Sequence, residues 1–265
     1  MRELSVSSVE TRTGGEYTPA DRAVADLETH EHYDRTKLAR IRRVAHLPEN
    51  PRILELGCSS GGNVVAWQRL GCECVGLEPS PLAVENSRIL SRKLGITVPV
   101  EQGSAEQMPF ANEEFDYVNA HSVIEHVQDI ERAIAEVYRV LRPSGVFWFN
   151  AASCMCPIQA EIRKVPLFGW YPDPVKQRIL RWATVHRPEL IGHTSYPAVN
   201  WFTPWRAREV LYRHGFRKVW DRWDLRGEDE GRRIYAVALR LIRISGLTKI
   251  IADIVVPGCS FAAVK

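Results

Sequence analysis

Residues 52–63 read Arg-Ile-Leu-Glu-Leu-Gly-Cys-Ser-Ser-Gly-Gly-Asn, a run with three chemically useful features. Glu55 puts a carboxylate just before a turn, Ser59 offers a hydroxyl within it, and Gly57 and Gly61 leave the backbone bare. Glycine lets a chain approach a ligand closely, and the open N–H groups of a helix's first turn point at whatever sits there. The spacing Gly57-x-Ser59-x-Gly61 fits a nucleophile elbow with Ser59 as nucleophile. It is also a loose form of the glycine fingerprint that seats a pyrophosphate. Further along stand a second carboxylate, Glu78, and candidate general bases at His121, His126 and His193.

The elements that must hold these groups follow from the pattern around them. The apolar run before Gly57 is too short for a helix and reads as a buried strand, with a helix directly after the turn. Cys72–Leu77 is a second strand ending at Glu78-Pro79-Ser80, and a helix spans Pro81–Leu94 with Ser80 as its cap. Strands are expected at 97–101, 115–120 and 146–150, with a helix over 130–141. Strands alternating with helices imply an α/β fold with a mostly parallel sheet covered by helices on both faces. Ligands of such sheets bind beyond the carboxyl ends of the strands.

Four stretches organise the chain. Residues 1–46 are a polar arm followed, from Pro19, by helical periodicity; 47–150 hold the strand–helix alternation. Residues 151–202 mix prolines with Phe168, Trp170, Tyr171, Trp182 and Tyr196, an insertion after strand five well placed to set substrate specificity. Residues 203–265 add a helix opened by Thr203-Pro204 and stopped by Gly215, a strand over 216–224 and a last strand at 259–264. Between them, apolar residues recur from Arg232 to Asp253 as an amphipathic helix, broken near Gly246. That helix is expected to pack on the core. The alternative is a basic face of Arg240, Arg243 and Lys249 resting on a membrane or a lipid-linked substrate.

Bulk properties narrow the function. With 265 residues, 45% hydrophobic and 25% charged, the chain can bury a substantial core. A net charge of +3 gives no reason to expect a nucleic-acid partner. The N-terminal residues lack the apolar core of a signal peptide and no uncharged run is long enough to span a bilayer, so a cytoplasmic location is expected. The six cysteines include two Cys-x-Cys pairs, which lack the spacing of a zinc knuckle and are expected to be reduced structural thiols.

Downstream motifs choose among the chemistries. The elbow reading lacks strands ahead of it and an oxyanion loop, and the pyrophosphate reading has Ser59 where the second glycine belongs. Glu55-x-Gly57-x-Ser59-x-Gly61 is followed by Gly103-Ser104-Ala105-Glu106-Gln107-Met108-Pro109-Phe110 and Phe115-Asp116-Tyr117-Val118. Then come His121-Ser122-Val123-Ile124-Glu125-His126-Val127 and Arg139-Val140-Leu141-Arg142-Pro143-Ser144-Gly145. This ordered set, over residues 30 to 150, resembles the class I S-adenosylmethionine (SAM)-dependent methyltransferases, in particular the type 11 group that includes quinone-biosynthesis enzymes.

The resemblance implies a Rossmann-like, doubly wound, mostly parallel sheet of seven strands, with SAM as the cofactor and S-adenosylhomocysteine as the product. It implies cofactor contacts from Gly57, Cys58, Ser59 and Gly61, from Glu55 to the methionine ammonium, and from Glu78, Pro79 and Ser80 to the ribose. Ser104, Ala105 and Glu106 would meet the adenine, Ser104 replacing a common aspartate, with His121 bordering the site. Tyr33 and Arg35 lie in Glu31-His32-Tyr33-Asp34-Arg35, which resembles a segment that closes the pocket in such enzymes and reads equally as a solvated basic helix. Some relatives bind a divalent metal through E-x-x-E-H at the place of Glu125-His126. Ser122 removes the first of those ligands, so no metal is expected.

A hydroxyl acceptor must lose a proton, and His193 and His121 are the candidate catalytic bases. The expected acceptor is a small molecule or glycan: a sugar, glycolipid or secondary metabolite, with quinone-like aromatics as the alternative. A catalytically inactive SAM-binding regulator is the reading from another class.

Overall fold

Five parallel strands carry the first half of the chain. The computed structural model describes residues 18–159, 162, 164–191 and 198–265. Helices α1 (Pro19–Ala25) and α2 (Leu27–Val44) lead into β1 (Arg52–Leu56), α3 (Gly62–Arg69), β2 (Glu73–Glu78), α4 (Pro81–Leu94) and β3 (Val100–Gln102). Then follow β4 (Phe115–His121), α5 (Ile130–Val140) and β5 (Leu141–Ala151). After the insertion and its helix α6 (Asp173–His186) come α7 (Pro204–Arg213), β6 (Lys218–Asp221), α8 (Arg222–Leu225), α9 (Arg233–Arg243), α10 (Gly246–Val255) and β7 (Cys259–Val264).

The seven strands lie in the order β3-β2-β1-β4-β5-β7-β6. β1 to β5 run parallel, and β7 lies antiparallel between β5 and β6. The order reverses between β1 and β4, which opens a crevice beyond their carboxyl ends. Apolar residues alternate between the two faces. Leu54, Val118 and Phe147 pack against Ile134 and Val137 of α5 and Val210 of α7, while Ile53, Tyr117 and Val146 pack against Ile41 of α2 and Val65 and Trp67 of α3. Trp67 is fully buried, and a side chain of that size contributes about 2–3 kcal/mol by leaving water.

The caps expected of α4 and α7 are present. Ser80 Oγ accepts the N–H of Ala83, Thr203 Oγ1 accepts that of Arg206, and Gly215, at φ +96°, follows α7. Other boundaries differ from expectation. β3 starts at Val100 rather than at residue 97, after Pro99. The strand expected to reach residue 224 ends at Asp221, because that carboxylate accepts the N–H groups of Trp223 and Asp224 and so starts α8.

The expected break near Gly246 is there: Ser245 caps α10 by accepting the N–H of Thr248. Core packing of that helical pair is not. Leu239 and Asp253 are its buried residues, whereas Ile234, Val237, Leu241, Ile244, Leu247, Ile251 and Val255 are exposed. The pair turns its polar side inward: Lys249 meets Asp221 and Asp224, and the carboxylate of Asp253 accepts Trp223 Nε1–H at 2.8 Å.

The insertion has its own small core of Phe168, Leu180 and Trp201. Its ends meet where Phe202 N–H donates to the carbonyl of Ala152 at 3.0 Å. Trp170 and Trp182 are exposed. The N–H groups of Val199 and Asn200 both donate to the carbonyl of Glu125, which ties the insertion's return to the loop after β4.

Candidate active site

The turn after β1 is built from three left-handed residues, Gly57 (φ +62°), Ser59 (φ +49°) and Gly61 (φ +86°). A Cβ on Gly57 would lie 2.5 Å from Cγ2 of Val123, so the β1 turn and the loop after β4 touch there. Glu78 fastens the turn to β2: one carboxylate oxygen accepts the N–H of Ser59 at 2.9 Å and the other that of Ser80 at 3.0 Å. A carboxylate offers about four acceptor sites, so Glu78 keeps capacity for hydroxyl donors. A cavity of about 330 Å³ opens beside the turn, with Cys58, Ser59 and Ser60 on one wall and Ala23, Asp26 and His30 on the other.

Glu55 lies in β1, two residues before Gly57. It is buried, and its carboxylate accepts Trp67 Nε1–H at 2.8 Å and Asn119 Nδ2–H at 2.8 and 2.7 Å. Within the fold these bonds brace β1 against α3 and β4, just before the turn where the expected contact of Glu55 with a ligand ammonium would be made. Asn119 Oδ1 in turn accepts from Lys37 Nζ at 3.1 Å and from the Tyr117 hydroxyl at 2.8 Å. Lys37 is buried and pairs with Asp34 at 2.7 Å, one turn earlier on α2. Burial pushes the carboxyls of both Glu55 and Asp34 above the ordinary range, Glu55 to about 7, against the pull of the Lys37 ammonium.

Lys37 also organises the rings at the end of β4. Its ammonium lies 4.7 Å from the ring centre of Trp148 and 5.1 Å from that of Tyr33. Tyr33 meets His121 edge-on at 5.4 Å, and Trp148 stacks on the other side at 6.2 Å. His121 keeps solvent access at the strand end. Partial withdrawal from water between these rings, then the nearby Lys37 charge, lowers its pKa below the usual histidine value. The imidazole is therefore held in its neutral form at pH 7.

The remaining expected contacts distribute as follows. Ser104 and Ala105 lie just past β3, where Gln107 N–H donates to the Ser104 carbonyl at 3.2 Å. Glu106 accepts the N–H of Gln128 at 2.9 Å and so ties that turn to the entry of α5. Pro79 and Ser80 open α4 at the same edge of the sheet. Arg35 is largely exposed and pairs with Glu31 four residues earlier, on a different face of α2 from the inward Asp34 and Lys37. His193 and Tyr196 lie outside the described residues. Glu125 is buried behind the β4 loop, and among the described residues no group of three His, Cys, Asp or Glu is placed to hold a metal ion. All six cysteines are free thiols.

Sequence reasoning missed Lys37, Asp34, Asn119 and Trp148. Asn119 carried a readable signal, a polar residue in the buried run Phe115–Ala120. Lys37 carried none, since it sits among the exposed bases of a charged helix.

The residues present fit a SAM molecule: bare backbone at Gly57, acceptor capacity at Glu78, and a cavity that opens at Cys58, Ser59 and Ser60. Comparisons with known proteins agree. Residues 54–149 match the family model described as a methyltransferase domain. A ubiquinone biosynthesis O-methyltransferase of Azorhizobium caulinodans is 33% identical over 95 residues, covering 36% of this chain and 38% of that protein. A sterol 24-C-methyltransferase of Eremothecium gossypii is 33% identical over 124 residues, covering 46% and 31%. The chain thus aligns with less than two fifths of the length of either relative. In architecture it is similar to a SAM-dependent methyltransferase from Mesorhizobium loti, with a TM-score of 0.55 at 17% identity, covering 90% of this chain and all of that one.

Proposed function

We propose that the chain is a class I SAM-dependent methyltransferase, its residues 54–149 matching the methyltransferase-domain family, and that it methylates a hydroxyl of a small molecule. The observation that carries this reading is His121, an imidazole at the carboxyl end of β4, the strand beside β1 and its Gly57–Gly61 turn, held between Tyr33 and Trp148. When bound, SAM supplies a methyl group activated on a sulfonium. Gly57, Cys58, Ser59 and Gly61 would present backbone to it, Glu78 would accept from its ribose hydroxyls, and Ser104 and Ala105 would border its base. His121 accepts the acceptor's hydroxyl proton as the oxygen attacks, and positioning along the line of displacement supplies much of the rate. His193, from the insertion, is the second candidate for the proton.

The acceptor class is a sugar, glycolipid or secondary metabolite. Similarity to ubiquinone-biosynthesis O-methyltransferases favours a quinone-like aromatic as the second reading. Isothermal titration with SAM and with S-adenosylhomocysteine, then labelled SAM with extracted lipids and metabolites, tests both. Absence of binding to either nucleoside removes the methyltransferase reading. Binding without transfer to any acceptor supports a SAM-binding regulator instead.

A further inference from the structure

Helices α9 and α10 are amphipathic in the reverse sense for a surface element. A surface helix ordinarily buries its apolar stripe and exposes its charges. Here α10 sends Lys249 and Asp253 inward to Asp221, Asp224 and Trp223, and α9 sends Arg243 inward to the carbonyls of Trp223, Asp224 and Arg226. The outward face is left to Ile234, Val237, Leu241, Ile244, Leu247 and Ile251, each more than half exposed, with Ile254 and Val255 continuing it. A contiguous aliphatic patch of this kind marks a surface that meets something other than water.

Charge selects the partner. Arg232 and Arg233 are exposed at the start of α9, and neither helix has a carboxylate on its outward face: α9 contains no acid, and Asp253 is buried. An anionic lipid surface complements both the cations and the aliphatic side chains.

Position adds a consequence for the site. β6 ends and β7 begins at the same edge of the sheet as the carboxyl ends of β4 and β5, since Asp221 pairs with Phe261 and Ala151 with Cys259. The chain leaving α10 through Pro257 and Gly258 shares a cavity of about 150 Å³ with Tyr33, Trp148 and Asn150, beside His121. We propose that the α9–α10 pair docks the enzyme on anionic lipid surfaces and that the acceptor is an amphiphile drawn from that layer. The second half rests on the methyltransferase reading above; the first stands without it.

Cosedimentation with two kinds of vesicle tests the docking. One is phosphatidylcholine alone; the other contains about one part in three phosphatidylglycerol. The full chain should sediment with the anionic vesicles, and less so as salt rises. Leu241→Glu combined with Ile251→Glu should lower the partition about tenfold or more. Arg232→Glu with Arg233→Glu should abolish the preference for phosphatidylglycerol. Unchanged SAM affinity by titration shows that these exposed substitutions leave the fold intact. A wild-type chain that stays in the supernatant with both vesicle types overturns the proposal. So does a wild-type dimer in sedimentation velocity that the Leu241→Glu, Ile251→Glu variant converts to monomer, which would make the face an interface between copies. Vesicle binding by a chain with no affinity for SAM would sink the methyltransferase reading and leave the docking in place.

Discussion

Asn119 stands between Lys37 and Glu55 as a polar hinge, accepting from the ammonium at 3.1 Å and donating to the two carboxylate oxygens at 2.8 and 2.7 Å. Its amide orientation is fixed by both neighbours, since only its oxygen can receive the Lys37 and Tyr117 protons. Replacing it with leucine keeps the volume and removes both links, leaving a buried cation and a buried carboxylate each short of a partner. Asn119→Leu should therefore destabilise the fold by about 2–4 kcal/mol. The midpoint of urea unfolding should fall with little change in slope; an unchanged midpoint would show that the network contributes nothing.

Glu55 gives stability a pH dependence of known sign. Burial raises its pKa from the ordinary carboxylate value to about 7 in the fold. Between about pH 4.5 and pH 7 the folded state holds a proton that the unfolded state has released, so stability falls as pH rises through that window. His30 and His121, whose pKa values are lowered chiefly by burial, act in the opposite sense below the ordinary histidine value, so the comparison must be made against a variant. Relative to Glu55→Gln, the wild-type chain should lose up to about 3 kcal/mol between pH 4.5 and 8. Thermal unfolding of the two proteins at both pH values checks this, and parallel curves would contradict it.

Much of this framework was legible from local patterns. The β1 turn, the caps Ser80 and Thr203 and the break at Ser245 all follow from short-range signals, because turns and caps are satisfied within a few residues. What was not legible depends on partners far away in sequence. The bonds of Glu55 to Trp67, twelve residues on, and to Asn119, sixty-four residues on, leave no trace in the local pattern. The periodicity of residues 232–253 predicted amphipathic helices correctly but cannot say which side faces in. Long-range pairs, Lys249 with Asp221 and Asp253 with Trp223, decided that against the usual rule.

Gly57 should resist any side chain. Its φ of +62° disfavours an L residue, and a Cβ would press to 2.5 Å from Val123. Gly57→Ala must move either the turn or the β4 loop, the two walls of the proposed cofactor crevice. SAM affinity should drop about tenfold or more, measured by titration calorimetry, with a smaller effect on thermal stability. Wild-type affinity in this variant would place the cofactor elsewhere.

His121 makes the last prediction, one about rate. A proton acceptor must be neutral before it can act, and the rings of Tyr33 and Trp148 together with the Lys37 charge keep this imidazole neutral to lower pH than an ordinary histidine. The acidic limb of kcat/KM should consequently fall below pH 6.5, the unperturbed histidine value. His121→Ala should cost about 10²- to 10⁴-fold in kcat while SAM affinity stays close to wild type. Lys37→Met separates the base from its surroundings: without the cation, the acidic limb should move upward toward the ordinary value. An alanine variant with full turnover would shift the proton acceptor to His193, and a limb unmoved by Lys37→Met would show that His121 is not the group being titrated.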